Sequence, residues 1–130
     1  MFTIEQILAA HAKVKSGADF PAYVKEIKAL GLDHYDFYVA DGHAVYYGAG
    51  DYEVQGIPKY PAKSITENSS PENLKSALKI HQQGQTDFLT FCQQAAEAGV
   101  EKWVTDAAAM GVYYVDKKGN VLVTETIPEP

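Results

Sequence analysis

The chain carries two copies of one pattern. A shift of 68 residues lays Asp19-Phe20 on Asp87-Phe88, Tyr23 on Phe91, Val24 on Cys92, Ile27 on Ala95 and Tyr35 on Trp103. Gly31-Leu32-Asp33 falls on Gly99-Val100-Glu101 at the same shift. Upstream, Ile4, Ile7, Leu8 and His11 meet Leu74, Ala77, Leu78 and His81 at a shift of 70, the first copy being two residues longer in the turn between its helices. A repeat restricts the fold strongly, because a unit that cannot cover its apolar face alone must share a core with its copy. Each copy reads helix–helix–strand–strand–strand. The expectation is therefore an α+β fold built by internal duplication, with a mainly antiparallel sheet and helices packed on it. The pseudo-repeats cover about 1–68 and 69–130 of a single domain. His11 and His81 become equivalent positions, both on core-facing stripes.

Local signals place the elements. Thr3 and Gln6 form a capping box for a first helix that runs to about Val14. Ser16-Gly17-Ala18 breaks it, Asp19 caps a second helix with Pro21 in its first turn, and Gly31 stops that helix. Asp41-Gly42 marks a hairpin between residues 33–40 and 43–47. With a two-residue loop, Val39 faces Ala44, Tyr38 faces Val45 and Phe37 faces Tyr46. Alternation then assigns Tyr35, Phe37, Val39, Ala44 and Tyr46 to the core face. His34, Asp36, Tyr38, His43, Val45 and Tyr47 form a polar-aromatic face turned to water or to a partner. Residues 48–70 read as a long loop with one short strand around 63–66. Ser70 caps a third helix that Gly84 ends, and Thr86 or Asp87 starts a fourth that closes at Gly99. Strands follow at 100–105, 112–116 and 121–127, the last two joined through Lys117-Lys118-Gly119. Pro128-Glu129-Pro130 cannot extend a strand and should fray.

Composition removes several classes of function. A chain of 130 residues buries about two-thirds of its surface on folding, enough for a core without disulfide staples. The single cysteine, Cys92, cannot close an internal disulfide, and no Cys/His spacing matches a zinc site. No metal or cofactor is expected, and the compartment read from the thiol is reducing, hence cytoplasmic. The N-terminus lacks a basic segment and Glu5 interrupts its apolar stretch, so it reads as a helix start. No apolar run approaches the ~20 residues that span a bilayer. A net charge of −6 without a basic cluster argues against nucleic acid and anionic membranes as partners. A protein or a small molecule remains as the partner, and a homodimer is compatible with the pattern. Nine tyrosines are in excess, serving strands and binding surfaces alike.

The residues with chemical potential are few. Cys92 sits mid-helix among Phe88, Phe91 and Ala95, which reads as a buried structural thiol. His81 stands at the last turn of the third helix, where a cation suits the helix dipole, and reads as a core-edge histidine. Asp106 and Glu125 lie near strand ends that could neighbour each other as an acid/base pair. Trp103 anchors a helix–sheet contact or walls a pocket with Tyr113 or Tyr114. The binding candidates are thus His81, Trp103, Asp106 and Glu125 around one pocket, and Tyr38, His43 and Tyr47 on the polar face of the first hairpin. No nucleophile elbow or phosphate-cradling loop is present, and the catalytic residues, if any, stay open.

The stretch Ser16-Gly17-Ala18-Asp19-Phe20-Pro21 resembles the YbcV-like family of small bacterial and prophage proteins. So do His81-Gln82, Gly84, Thr86-Asp87, Phe91-Cys92, Ala95-Ala96 and Gly99-Val100-Glu101-Lys102-Trp103, continuing through Asp106, Tyr113-Tyr114, Asp116, Gly119, Glu125 and Ile127-Pro128. The resemblance implies a compact α+β domain of about this length and unknown function, some members carrying a phage envelope label. Three functions compete. The leading one is a non-enzymatic binding or interaction domain using an aromatic-rich sheet face or groove. The others are a small enzyme or small-molecule binder with a pocket near His81, Trp103, Asp106 and Glu125, and a phage-derived structural or accessory protein. A polar-lined pocket of roughly 300 Å³ or more favours a small-molecule site, and a flat aromatic patch favours a partner surface.

Overall fold

A computed structural model of the chain describes residues 2–14 and 19–128. The expected break at 16–18 and the end of the tail lie outside them. In chain order the elements are α1 (Ile4–His11), α2 (Phe20–Ala29), β1 (Leu32–Tyr38), β2 (Ala44–Gly48), β3 (Glu53–Gln55), α3 (Pro71–Gln82), α4 (Phe88–Glu97), β4 (Val100–Asp106), β5 (Gly111–Asp116) and β6 (Val121–Thr126). The capping box of α1 forms through reciprocal bonds between Thr3 and Gln6. Ser70 and Asp87 accept from the main-chain N–H groups of Asn73 and Thr90, satisfying donors that a helix start leaves unpaired.

The six strands form one antiparallel sheet in the order β3-β2-β1-β4-β5-β6. The two triplets therefore meet at β1 and β4, where Asp36 stands opposite Val104. These two residues are 68 apart in sequence, so the sequence shift acts in space as a half-turn about this pair. Other features obey the same operation. The bounds of α2 and α4, and of β1 and β4, differ by 68 at both ends. The register is interrupted between Leu32 and His34 in β1 and between Val100 and Lys102 in β4. The Val39 N–H donates to the Glu101 carbonyl at 2.9 Å, and its image, the Ala107 N–H, donates to the Asp33 carbonyl at 3.0 Å.

One face of the sheet is covered by the helices. Tyr35, Phe37, Val39, Ala44 and Tyr46 are buried there as expected, in one cluster with Ile7, Val24, Ile27, Leu74, Leu78, Phe91 and Cys92. Trp103 lies flat on Phe37 at 4.4 Å and meets Phe91 at 5.6 Å, the helix–sheet anchor expected of it. The opposite face carries His34, Asp36, Tyr38, Val45, Tyr47, Lys102, Val104 and Tyr113. Val45 is buried there outside the core cluster, and Asp36 is buried beside Lys102, whose Nζ lies 3.3 Å from its Oδ2.

Three expectations need correction. The hairpin register is displaced by two residues: Phe37, not Val39, stands opposite Ala44, and Asp36, not Tyr38, opposite Val45. The turn is wider because Val39 is claimed elsewhere, its N–H by Glu101 and its side chain by the core. An even displacement keeps every side chain on its face, so the face assignment survives. The short third strand is Glu53–Gln55, with Val54 opposite Tyr46, and not 63–66. Residues 63–66 bond instead to a turn and a helix, through Lys63 N–H to Ala40 and Thr66 N–H to Ala96. His11 is exposed, because α1 ends at it, although its ring still edges onto Tyr23 at 5.3 Å. Its counterpart His81 is half-buried on Phe91 at 4.7 Å, the equivalent aromatic position.

Candidate functional site

The wide β1–β2 turn concentrates polar chemistry. Oδ1 of Asp41 accepts the main-chain N–H of His43 at 3.0 Å and lies 2.6 Å from His43 Nδ1. Burial pushes the Asp41 carboxyl up, but the bonds from His43 outweigh it and hold the group below its ordinary value of 3.8. Asp41 is thus a carboxylate at neutral pH. The imidazole is oriented through Nδ1, leaving Nε2 as the ring position for a ligand. Tyr38 stacks on the same imidazole at 4.5 Å with planes 5° apart. Gly42 has φ 74°, and a Cβ there would lie 2.6 Å from the Tyr60 ring, so both the turn and the seat of Tyr60 require glycine.

Tyr60 ties the following loop to this turn. Its hydroxyl donates to the Val39 carbonyl at 2.6 Å, and the N–H groups of Lys59 and Lys63 donate to the carbonyls of Asp41 and Ala40 at 2.9 and 2.7 Å. Lys63 Nζ lies 4.4 Å from the Tyr60 ring centroid, a cation–π contact. On the far side, Lys117 pairs with Glu67 at 2.6 Å. Asp116 builds that β5–β6 turn by accepting the N–H groups of Lys118 and Asn120 at 2.9 and 2.8 Å. These bonds, Asn120's first, hold its carboxyl below the usual range.

Between these pieces lies an open cleft of about 480 Å³. Tyr38, Asp41 and His43 line it from the turn, Lys63, Ser64 and Glu67 from the loop, Glu101 from β4, and Lys117 from the β5–β6 turn. The half-turn that relates the halves maps Asp41-Gly42-His43 onto Ala109-Met110-Gly111, and Tyr38 onto Asp106. Met110 repeats the left-handed backbone of Gly42, with φ 54°. The backbone turn is shared, whereas the carboxylate, imidazole and stacked ring belong to the first half. A second cavity, about 400 Å³, is lined by Lys25, Lys28, Ala29 and Met110. Among the described residues no group of three or more His, Cys, Asp or Glu is placed to hold a metal ion.

The residues singled out by sequence are dispersed. Tyr38 and His43 line the larger cleft. Tyr47 stacks on His34 at 4.5 Å toward the other end of the open face. Asp106 stands opposite His34 on that face and accepts the Ala109 N–H at 2.9 Å. Glu125 belongs to the helix side, opposite Val112, where it accepts from the Tyr114 hydroxyl at 3.2 Å and from Gln82 at 2.7 Å. The sheet therefore separates the two carboxylates. His81 Nδ1 lies 3.1 Å from the Thr86 carbonyl oxygen, and Trp103 is in the core. Cys92 is fully buried and burial pushes its thiol up, against the hydrogen-bonding pull of Tyr60 and the charges of Lys63 and Lys59. Sequence reasoning missed Asp41, Lys63, Ser64, Glu67, Glu101 and Lys117. Asp41-Gly42-His43 was a visible signal, but it reads first as a turn.

Fold and cleft together define a two-layer α+β protein with one open sheet face and a polar cleft at the end of that sheet. By sequence the chain belongs to the family described as protein of unknown function, DUF1398, whose model matches residues 8–126. It is similar to the uncharacterized protein YcgX of Escherichia coli (strain K12), 29% identical over 96 residues that cover 72% of this chain and 70% of that protein. No helix among the described residues is long and apolar enough to cross a membrane.

Proposed function

We propose that the chain is a small-ligand-binding module whose site is the cleft at the β1–β2 turn. The observation that carries this reading is the asymmetry between halves. Helices, strands, the β1–β2 register in β4–β5 and even the left-handed turn recur, but the Tyr38, Asp41 and His43 constellation does not, so a turn of this shape forms without it in the second half. Its setting has the form of a ligand site: a concave volume with an aromatic surface and a few convergent polar groups. A thermal-shift screen against metals, nucleotides and metabolites tests the proposal. A cleft ligand raises Tm with the logarithm of its concentration, and His43→Ala and Tyr38→Ala each abolish that rise. A screen in which no compound raises Tm, or in which the rise survives both substitutions, overturns it.

A second reading, a protein partner laid on the open sheet face, draws on Val45 and Asp36, buried outside the core, and on the half-exposed Tyr47 and Tyr113 beside them. A second copy of the chain is one such partner. The finer family likeness to YbcV-like prophage proteins, with an accessory role in a phage and a cytoplasmic location, belongs to this reading. It is supported by the Thr86–Trp103 segment and by the single buried cysteine. The common half-turn of α2/α4 and β1/β4 supports an origin of both halves by duplication.

A further inference from the structure

The cleft is chemically dipolar, and its unused charges come as one of each sign. Asp41 is engaged by His43, and Lys117 by Glu67. Among the described residues Lys63 has no carboxylate partner and meets the Tyr60 ring, while Glu101 lines the same cleft with no ionic partner. The fold does not consume these two charges. Lys63 is held in place by its main-chain bond to Ala40 at 2.7 Å, and the Glu101 main chain by the Val39 N–H at 2.9 Å. Both groups are therefore carried on pinned backbone.

From this arrangement, and resting on the reading of the cleft as a ligand site, we infer that its ligand is a small zwitterion of the amino-acid class. The carboxylate pairs with Lys63, the ammonium pairs with Glu101, and the side chain lies against the Tyr38–His43 stack. With Asp41 and Lys117 already engaged, a monoanion would satisfy Lys63 and leave Glu101 without a partner, and a monocation would satisfy Glu101 and leave Lys63 without one. A zwitterion satisfies both signs at once, and each pairing is a charge-assisted hydrogen bond. Ser64 supplies a further donor and acceptor in the same cleft.

The test is calorimetric titration of the whole protein with a panel of L-amino acids. Each binder is compared with its decarboxylated amine and its deaminated acid. The expected result is an amino acid that binds at least about tenfold more tightly than either analogue. Lys63→Met should weaken the amino acid and its acid analogue by about tenfold or more and leave the amine unchanged. Glu101→Gln should do the reverse, weakening the amino acid and the amine. Both side chains reach solvent, so the variants keep the fold, which their unchanged ligand-free Tm verifies. An amine or acid that binds as tightly as its parent amino acid overturns the inference, as does a binder indifferent to both substitutions. A ligand of another class that binds and is lost in His43→Ala overturns the zwitterion while sparing the cleft as a site. Failure of every amino acid to bind overturns the zwitterion, and the cleft as a site falls with it only if the wider thermal-shift screen is empty as well.

Discussion

At the residue scale, Asp41 shows how one carboxylate can organise a turn and a site together. Its Oδ1 holds the His43 main chain and ring, so Asp41→Asn should destabilise the protein by about 1 kcal/mol at neutral pH, the net worth of a typical intramolecular hydrogen bond. Because the folded carboxyl titrates below 3.8, this contribution is present above that value. It is lost as the pH falls through the folded pKa. Urea denaturation of wild type and Asp41→Asn should therefore give midpoints that differ at pH 7 and converge below about pH 4, while a difference that persists or grows in acid would contradict the assignment. Other single residues were legible in the sequence. Cys92 falls on an apolar stripe and is buried, and Trp103 alternates onto the core face. Lys63 and Glu101 were not legible, because nothing local distinguishes them from other surface charges.

At the element scale, the equivalent glycines that end α2 and α4 separate backbone strain from steric contact. Gly31 and Gly99 have φ 102° and 88°, in the region that costs an L-residue roughly 1–2 kcal/mol. A Cβ on Gly31 would meet nothing within 4 Å, whereas one on Gly99 would lie 2.7 Å from the Ser69 Cα. Gly31→Ala should cost about 1–2 kcal/mol. Gly99→Ala should cost clearly more, because main chain must move. Equal losses in chemical denaturation would refute the difference. Helix starts, stops and strand faces were readable here because caps, glycines and period-two alternation act within a few residues. The hairpin register was not, because it is decided by Glu101 in a strand more than sixty residues away, which takes the Val39 N–H. β3 was misplaced for a like reason: the partners of residues 63–66 are Ala40 and Ala96.

At the scale of the whole molecule, the two halves share one sheet and one buried cluster, joined through β1 and β4. Neither half closes its core without the other: Phe37 of the first packs on Trp103 and Phe88 of the second. The molecule should therefore unfold in a single transition despite its repeat. Ile27→Ala in one half and Leu74→Ala in the other, both fully buried, should each lower stability by about 2–5 kcal/mol. Each should move the whole transition, whether followed by tryptophan fluorescence in the second half or by circular dichroism overall. Two separable transitions, or an Ile27→Ala effect absent from tryptophan fluorescence, would show independent halves.

By itself the sequence determined the α+β class, the order of the elements, the capping of α1, α3 and α4, and which hairpin residues face the core. Each of these is set by contacts within about a helical turn or by strict alternation, and periodic sequence encodes both. The tertiary structure decided the sheet order, the half-turn about Asp36 and Val104, and the hairpin register. It also decided the gathering of Tyr38, His43, Lys63, Glu67, Glu101 and Lys117 around one cleft. Those features depend on which distant main-chain donors and acceptors find each other, and that competition is settled when the two sets of strands pair.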